Sequence, residues 1–139
     1  DQVEGFLPYF SQGYDIVIGS RRIKGANIAV RQAWFRDFFG GVFRFVVHIL
    51  VPLRVTDSQA GFKCFSLRAA ESIFIKQTIF RWAFDVEILA IASKMNFKIK
   101  EAPIKWINDG DSKVKISGMI KMLFEVLRVR FNLRTNKYA

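Results

Sequence analysis

An α/β fold is what this sequence predicts, and three observations carry the prediction. Short apolar runs with strand character alternate with longer stretches of helical period. Half of the 139 residues are apolar and 15% are aromatic, enough to pack a core and too apolar for a disordered chain. The single cysteine, Cys64, leaves no internal disulfide framework to replace that core. The length suits one domain or part of one.

Asp1 to Ser11 reads as a loop with a short helix over Gly5 to Phe10. Tyr14 to Ile18 reads as a buried strand closed by Gly19. Ser20 to Val30 is a basic loop, and Arg21 and Arg22 stand at the strand's C-terminal end, where open α/β sheets bind ligands. Ala33 to Val51 follows as a helix. Its Arg36, Gly40, Arg44 and His48 fall four residues apart and form one narrow polar stripe. The remaining arc is apolar and aromatic, too wide for an ordinary surface helix. Either another domain covers it or it lies in a membrane interface. His48, the only histidine, reads as a hydrogen-bonded helix residue, and Pro52 closes the helix.

Asp57 to Phe65 reads as a loop turning into a short strand over Gly61 to Phe65, with Gly61 free to turn sharply or to lie against a ligand. Ser66 is placed as the N-cap of a helix over Leu67 to Gln77. Phe84 to Met95 is the next helix, with Asp85 and Glu87 in its first turn. Phe97 to Glu101 alternates as a strand, and Pro103 to Ile107 continues it as an edge segment. Asn108 to Lys113 is a polar loop with a turn signal. Ile116 to Phe131 is an amphipathic helix with Ile116, Met119, Ile120, Leu123, Phe124, Leu127 and Phe131 on one face, and Asn132 to Ala139 reads as a frayed basic tail.

The net charge of +10 is unevenly spread. Arg21 to Arg54 carries seven Lys/Arg against one acid, and Lys113 to Ala139 carries seven against one as well. Two such segments suit an anionic surface or phosphate groups. A nucleic-acid module is disfavoured: there is no zinc-ligand set, no basic recognition-helix pattern, and the aromatics sit in apolar faces rather than between exposed cations. No signal peptide opens the chain, and no run of about 18 uncharged apolar residues appears.

Asp57-Ser58-Gln59-Ala60-Gly61-Phe62-Lys63 is followed by Arg81-Trp82-Ala83-Phe84-Asp85-Val86-Glu87 and then by Asp111-Ser112-Lys113, and Gly19-Ser20-Arg21 precedes all three. In this order the motifs resemble the family-2 polyprenyl-phosphate glycosyltransferases, nearest to the dolichyl-phosphate β-glucosyltransferases and mannose synthases. The resemblance implies a nucleotide-sugar transferase domain of GT-A type with amphipathic interface helices. Residues 1–131 would form its C-terminal part, the nucleotide-binding half being absent, and 132–139 the basic tail. It implies transfer of glucose or mannose, with inversion, from a nucleotide sugar to a polyprenyl phosphate at the cytoplasmic face of a membrane. Asp57 is then the catalytic candidate. Arg21, Arg36, Ser112 and Lys113 would hold the acceptor phosphate, and Gln59 and Gly61 the sugar or its loop. A divalent Mg2+ or Mn2+ would bind mainly through residues this chain lacks, with Gln2 as a weak candidate ligand. The rivals are an undecaprenyl-phosphate glycosyltransferase of bacterial envelope synthesis and a non-enzymatic basic membrane-binding module.

Overall fold

The computed structural model describes residues 2–28, 34–106 and 116–139, with the side chains of 28, 34–37, 106, 116 and 117 outside the description. Strand β1, Ile16–Ser20, is buried along its whole length and lies at the centre of a three-stranded sheet of order β3-β1-β4. β3 (Lys63–Phe65) runs antiparallel to it with Ile18 opposite Lys63, and β4 (Ile99–Pro103) runs parallel with Ile18 opposite Glu101. A strand covered on both faces reads as an unbroken apolar run, which explains Ile16-Val17-Ile18. Ile16 and Ile18 pack with Ala69 and Ile73 of α3 (Leu67–Phe74) and with Ile88, Leu89 and Ile91 of α4 (Phe84–Lys94). Val17 faces the other way, onto Phe6, Ala102 and Ile104. Pro103 is tolerated at the end of β4 because that strand is an outer one.

Strand and helix bounds differ from the sequence expectation by a few residues at most, since hydrogen-bond register rather than hydropathy sets the ends. Ser66 caps α3 as expected, its hydroxyl accepting from the Ala69 amide at 3.3 Å. Two features were not anticipated. The basic loop after β1 contains β2 (Asn27–Ile28), which pairs in parallel with β5 (Lys105–Trp106). The start of the chain holds two short helical pieces, Glu4–Phe6 and α1, Leu7–Ser11, rather than one.

A second core joins Val47 of α2 (Trp34–Leu50) and Val51 just after it, Val86 and Ala90 of α4, and Val126 and Val129 of α5 (Ile116–Arg134). Leu53 and Leu133 touch both cores and tie them together. α2 and α5 each bury one stripe here and turn a strongly apolar stripe outward. On α2 the outward residues are Phe38, Val42, Phe45 and Ile49; on α5 they are Ile120, Phe124, Leu127 and Phe131. The spacing of each set keeps it on one helix side.

The expected fraying of Asn132 to Ala139 does not hold. α5 runs on to Arg134, and Tyr138 is 1% exposed. The Tyr138 hydroxyl donates to Glu87 at 2.7 Å, and the Asn132 amide donates to that hydroxyl at 3.0 Å. A buried hydroxyl with partners on both sides gives the tail a fixed place that its basic composition conceals.

Candidate anion-binding site at the end of the central strand

Arg21 leaves the C-terminal end of β1 and meets Asp57, 36 residues on. Its Nε donates to Asp57 Oδ2 at 2.8 Å and its Nη2 to Oδ1 at 2.9 Å, and the Arg21 amide adds a third bond to Oδ2 at 3.1 Å. This fork geometry fixes the guanidinium in orientation as well as in place. Asp57 itself is held from below. Glu101, on β4, accepts from the Thr56 amide at 2.9 Å, the Thr56 hydroxyl at 2.8 Å and the Asp57 amide at 3.1 Å. Thus β4 fixes the loop, the loop fixes Asp57, and Asp57 fixes the arginine that β1 delivers.

Asp57 has no exposed surface, whereas the Arg21 side chain keeps 24% of its own. Burial would push the Asp57 carboxyl up, but the Arg21 hydrogen bonds and charge outweigh it and hold the group below the ordinary carboxylate range. Asp57 is therefore ionised, and both its oxygens accept from Arg21. It is placed to orient Arg21.

A second ion pair lies beside the first. Lys63 Nζ donates to Asp85 Oδ1 at 2.6 Å and also to the Ala60 carbonyl. The Lys63 side chain is only 4% exposed. Burial lowers its pKa, and the neighbouring Asp85 charge opposes that without cancelling it. The pair closes the 57–63 loop onto the first turn of α4. Lys63 and Asp85 were not among the candidate site residues, although both stand in the quoted motifs. The available signal was their shared membership of those motifs; the pairing itself needs the loop to close, which spacing does not show.

The other candidates fare differently. Gln59 turns its amide toward Met122 of α5, 3.6 Å from the sulfur. Gly61 has no positive φ and a Cβ there would meet nothing within 4 Å, so neither a sharp turn nor crowding requires glycine. Gln2 Oε1 accepts from the Lys105 amide at 3.1 Å. The Arg36 side chain, Ser112 and Lys113 lie outside the described residues. Among the described residues no group of three or more His, Cys, Asp or Glu side chains is placed to hold a metal ion. Gln2 alone does not make a fit for a divalent cation. The Ser58 hydroxyl, fully buried beside Asp57 in sequence, has no hydrogen-bond partner among the described residues. His48 behaves as expected, with Nδ1 2.8 Å from the Arg44 carbonyl and Nε2 2.6 Å from the Val55 carbonyl.

Curated relatives match this chain over most of its length. A dolichyl-phosphate β-glucosyltransferase of Trichomonas vaginalis is 40% identical over 125 residues, 89% of this chain and 37% of the relative. The dolichyl-phosphate β-glucosyltransferase of Dictyostelium discoideum is 36% identical over 118 residues, 84% of this chain and 36% of its own length. The human protein of the same name is 31% identical over 124 residues, 88% of this chain and 38% of its own length. The chain therefore spans just over a third of the relatives it matches. No protein-family model matches it, and no solved structure does.

Proposed function

We propose that this chain, similar along most of its length to one segment of the dolichyl-phosphate β-glucosyltransferases, is the acceptor-binding part of such an enzyme. The enzyme transfers a glucosyl group, with inversion, from a nucleotide sugar to dolichyl phosphate at the cytoplasmic face of a membrane. The domain is of GT-A type, and the donor and its divalent ion are held mainly by residues beyond this chain. The observation that carries the reading is the Arg21 fork, clamped by buried Asp57 at the C-terminal end of the central strand and still part exposed.

The chemistry asks little of a base. A phosphomonoester has a second pKa of about 6, so the acceptor oxygen is already anionic near neutral pH. It attacks the anomeric carbon, the bond to the nucleoside diphosphate breaks, and that diphosphate leaves with its electron pair. The protein's task is to bring two phosphate groups together against their repulsion. Arg21 supplies a fixed cation for the acceptor, and Arg36, Ser112 and Lys113 are the further phosphate ligands that the family resemblance implies. Asp57 acts as the positioning residue of Arg21 rather than as a proton acceptor.

The outward stripes of α2 and α5 support the membrane surface. Phe38, Phe45, Phe124 and Phe131 are each more than 60% exposed. On α5 the stripe is flanked by Lys121 and Arg128 along one side and by Arg130 and Arg134 along the other, an arrangement suited to anionic lipid. Among the described residues no helix is long and apolar enough to cross a membrane.

The test is an assay of the intact protein with dolichyl phosphate and either UDP-glucose or GDP-mannose. Transfer from UDP-glucose is expected. Transfer only from GDP-mannose would correct the sugar, and no transfer from either with an intact donor half would overturn the enzyme reading.

A further inference from the structure

Two acids stand in the first turn of α4, and they face different neighbours. Glu87 is fully buried and accepts from the Thr78 amide at 2.9 Å, the Thr78 hydroxyl at 2.6 Å and the Ile79 amide at 2.7 Å, so it fastens the segment ahead of the helix. Asp85 turns to the 57–63 loop instead. The helix dipole alone accounts for a first-turn acid, but it does not account for a lysine taken almost wholly out of water to meet one. Lys63 lies opposite Ile18 of β1, so sheet register sets it beside the strand end that delivers Arg21. Its Nζ reaches Asp85 Oδ1 at 2.6 Å and is held as well by the Ala60 carbonyl.

Arg21, Asp57, Lys63 and Asp85 thus form one cluster of two cations and two carboxylates. Asp57 has no exposed surface and Lys63 only 4%, whereas Arg21 keeps 24% and Asp85 14%. The Arg21 pKa is raised, chiefly by its hydrogen bonds to Asp57, and the charge of Asp85 adds to this. Of the carboxylates around this strand end, Asp57 accepts from Arg21 with both oxygens, and Glu101 spends both of its own on residues 56 and 57. Asp85 Oδ2 has no hydrogen-bond partner among the described residues.

We infer that Asp85 accepts a hydrogen bond from a hydroxyl of the transferred sugar and that Lys63 positions it. The inference rests on the transferase reading given above. Charge and chemistry select this ligand. A dianionic phosphate offers a carboxylate no donor and is repelled by it, whereas a sugar hydroxyl donates to it readily. In a transfer to phosphate, the group that lies against the acceptor phosphate is the sugar, and Asp85 stands beside the cation proposed for that phosphate.

The experiment measures transfer to dolichyl phosphate by the intact protein from UDP-glucose and from the UDP-deoxyglucoses, each lacking one hydroxyl; should GDP-mannose prove the donor, its deoxy analogues replace these. Wild type should lose roughly 10- to 100-fold in kcat/KM on the analogue that lacks the hydroxyl Asp85 holds, the value of a hydrogen bond to a charged group. Asp85→Asn should shrink that ratio about tenfold, leave the ratios for the other hydroxyls as they are, and leave the KM for dolichyl phosphate unchanged. Lys63→Met keeps the carboxylate but frees it, and should give an intermediate ratio. Lys63→Met/Asp85→Ala removes the pair together, so that no lone buried charge remains to unfold the loop, and should abolish the same ratio. Ratios equal to wild type throughout, or a raised dolichyl phosphate KM in their place, would overturn the inference and leave Asp85 as a clamp of the loop. Absence of transfer by wild type from either sugar nucleotide would instead remove the transferase reading itself.

Discussion

Arg21 and Asp57 show why a charged pair can be both a structural and a functional feature. Removing the arginine leaves a carboxylate with no exposed surface and without its hydrogen-bonded cation, and a buried pair broken on one side costs roughly 3–5 kcal/mol. Arg21→Met should therefore lower stability by about 3 kcal/mol, whereas Arg22→Met, at an exposed position, should stay within about 0.5 kcal/mol. Denaturant unfolding of the two variants checks this. Acid should find the same pair. The folded-state pKa of Asp57 is depressed, so its contribution is present in full above the unfolded value of about 3.9 and is lost as pH falls from there through the lower folded value. Unfolding free energy measured from pH 6 downward should fall in that acid range, and Asp57→Asn should flatten the fall. Both residues were legible as site candidates from their motifs. Their mutual hydrogen bonds were not, because a separation of 36 residues is bridged by sheet register and by Glu101, neither of which local pattern reveals.

At the scale of elements, β1 was the easiest to read, since a strand buried on both faces announces itself as an apolar run. Its glycine has a reason the run does not display. A Cβ on Gly19 would stand 2.8 Å from Ile104 Cγ2 and 2.9 Å from Phe62 Cδ1. Gly19→Ala should destabilise by about 1–3 kcal/mol through overpacking, read as a lower melting temperature. α2 shows a harder problem. Periodicity defines its faces but not which of them meets solvent. Val47 and Val51 go inward with the half-buried Arg44 and His48, while Phe38, Val42, Phe45 and Ile49 go out. Substituting Phe45, 67% exposed, should therefore violate the usual cost of losing an aromatic. Phe45→Ser should change stability by no more than about 0.5 kcal/mol, as measured by denaturant midpoint. A loss near that of a core phenylalanine would mean that the outward face is packed.

For the molecule as a whole, a three-stranded sheet delivers a cation to the end of its central strand, and α2 and α5 turn apolar faces outward. The α/β character and the order of elements were legible because strands and helices alternate with clear turn and cap residues between them. The tail was not, since Tyr138 owes its place to Glu87 and Asn132, partners that only folding brings near. The central claim is that Arg21, aimed by Asp57, grips the acceptor phosphate. Arg21→Lys tests it most directly, because the charge remains and the fork is lost. In the intact enzyme the KM for dolichyl phosphate should rise roughly ten- to a hundredfold, with the KM for the nucleotide sugar unchanged. An unchanged acceptor KM, or an equal rise for the donor, would contradict it.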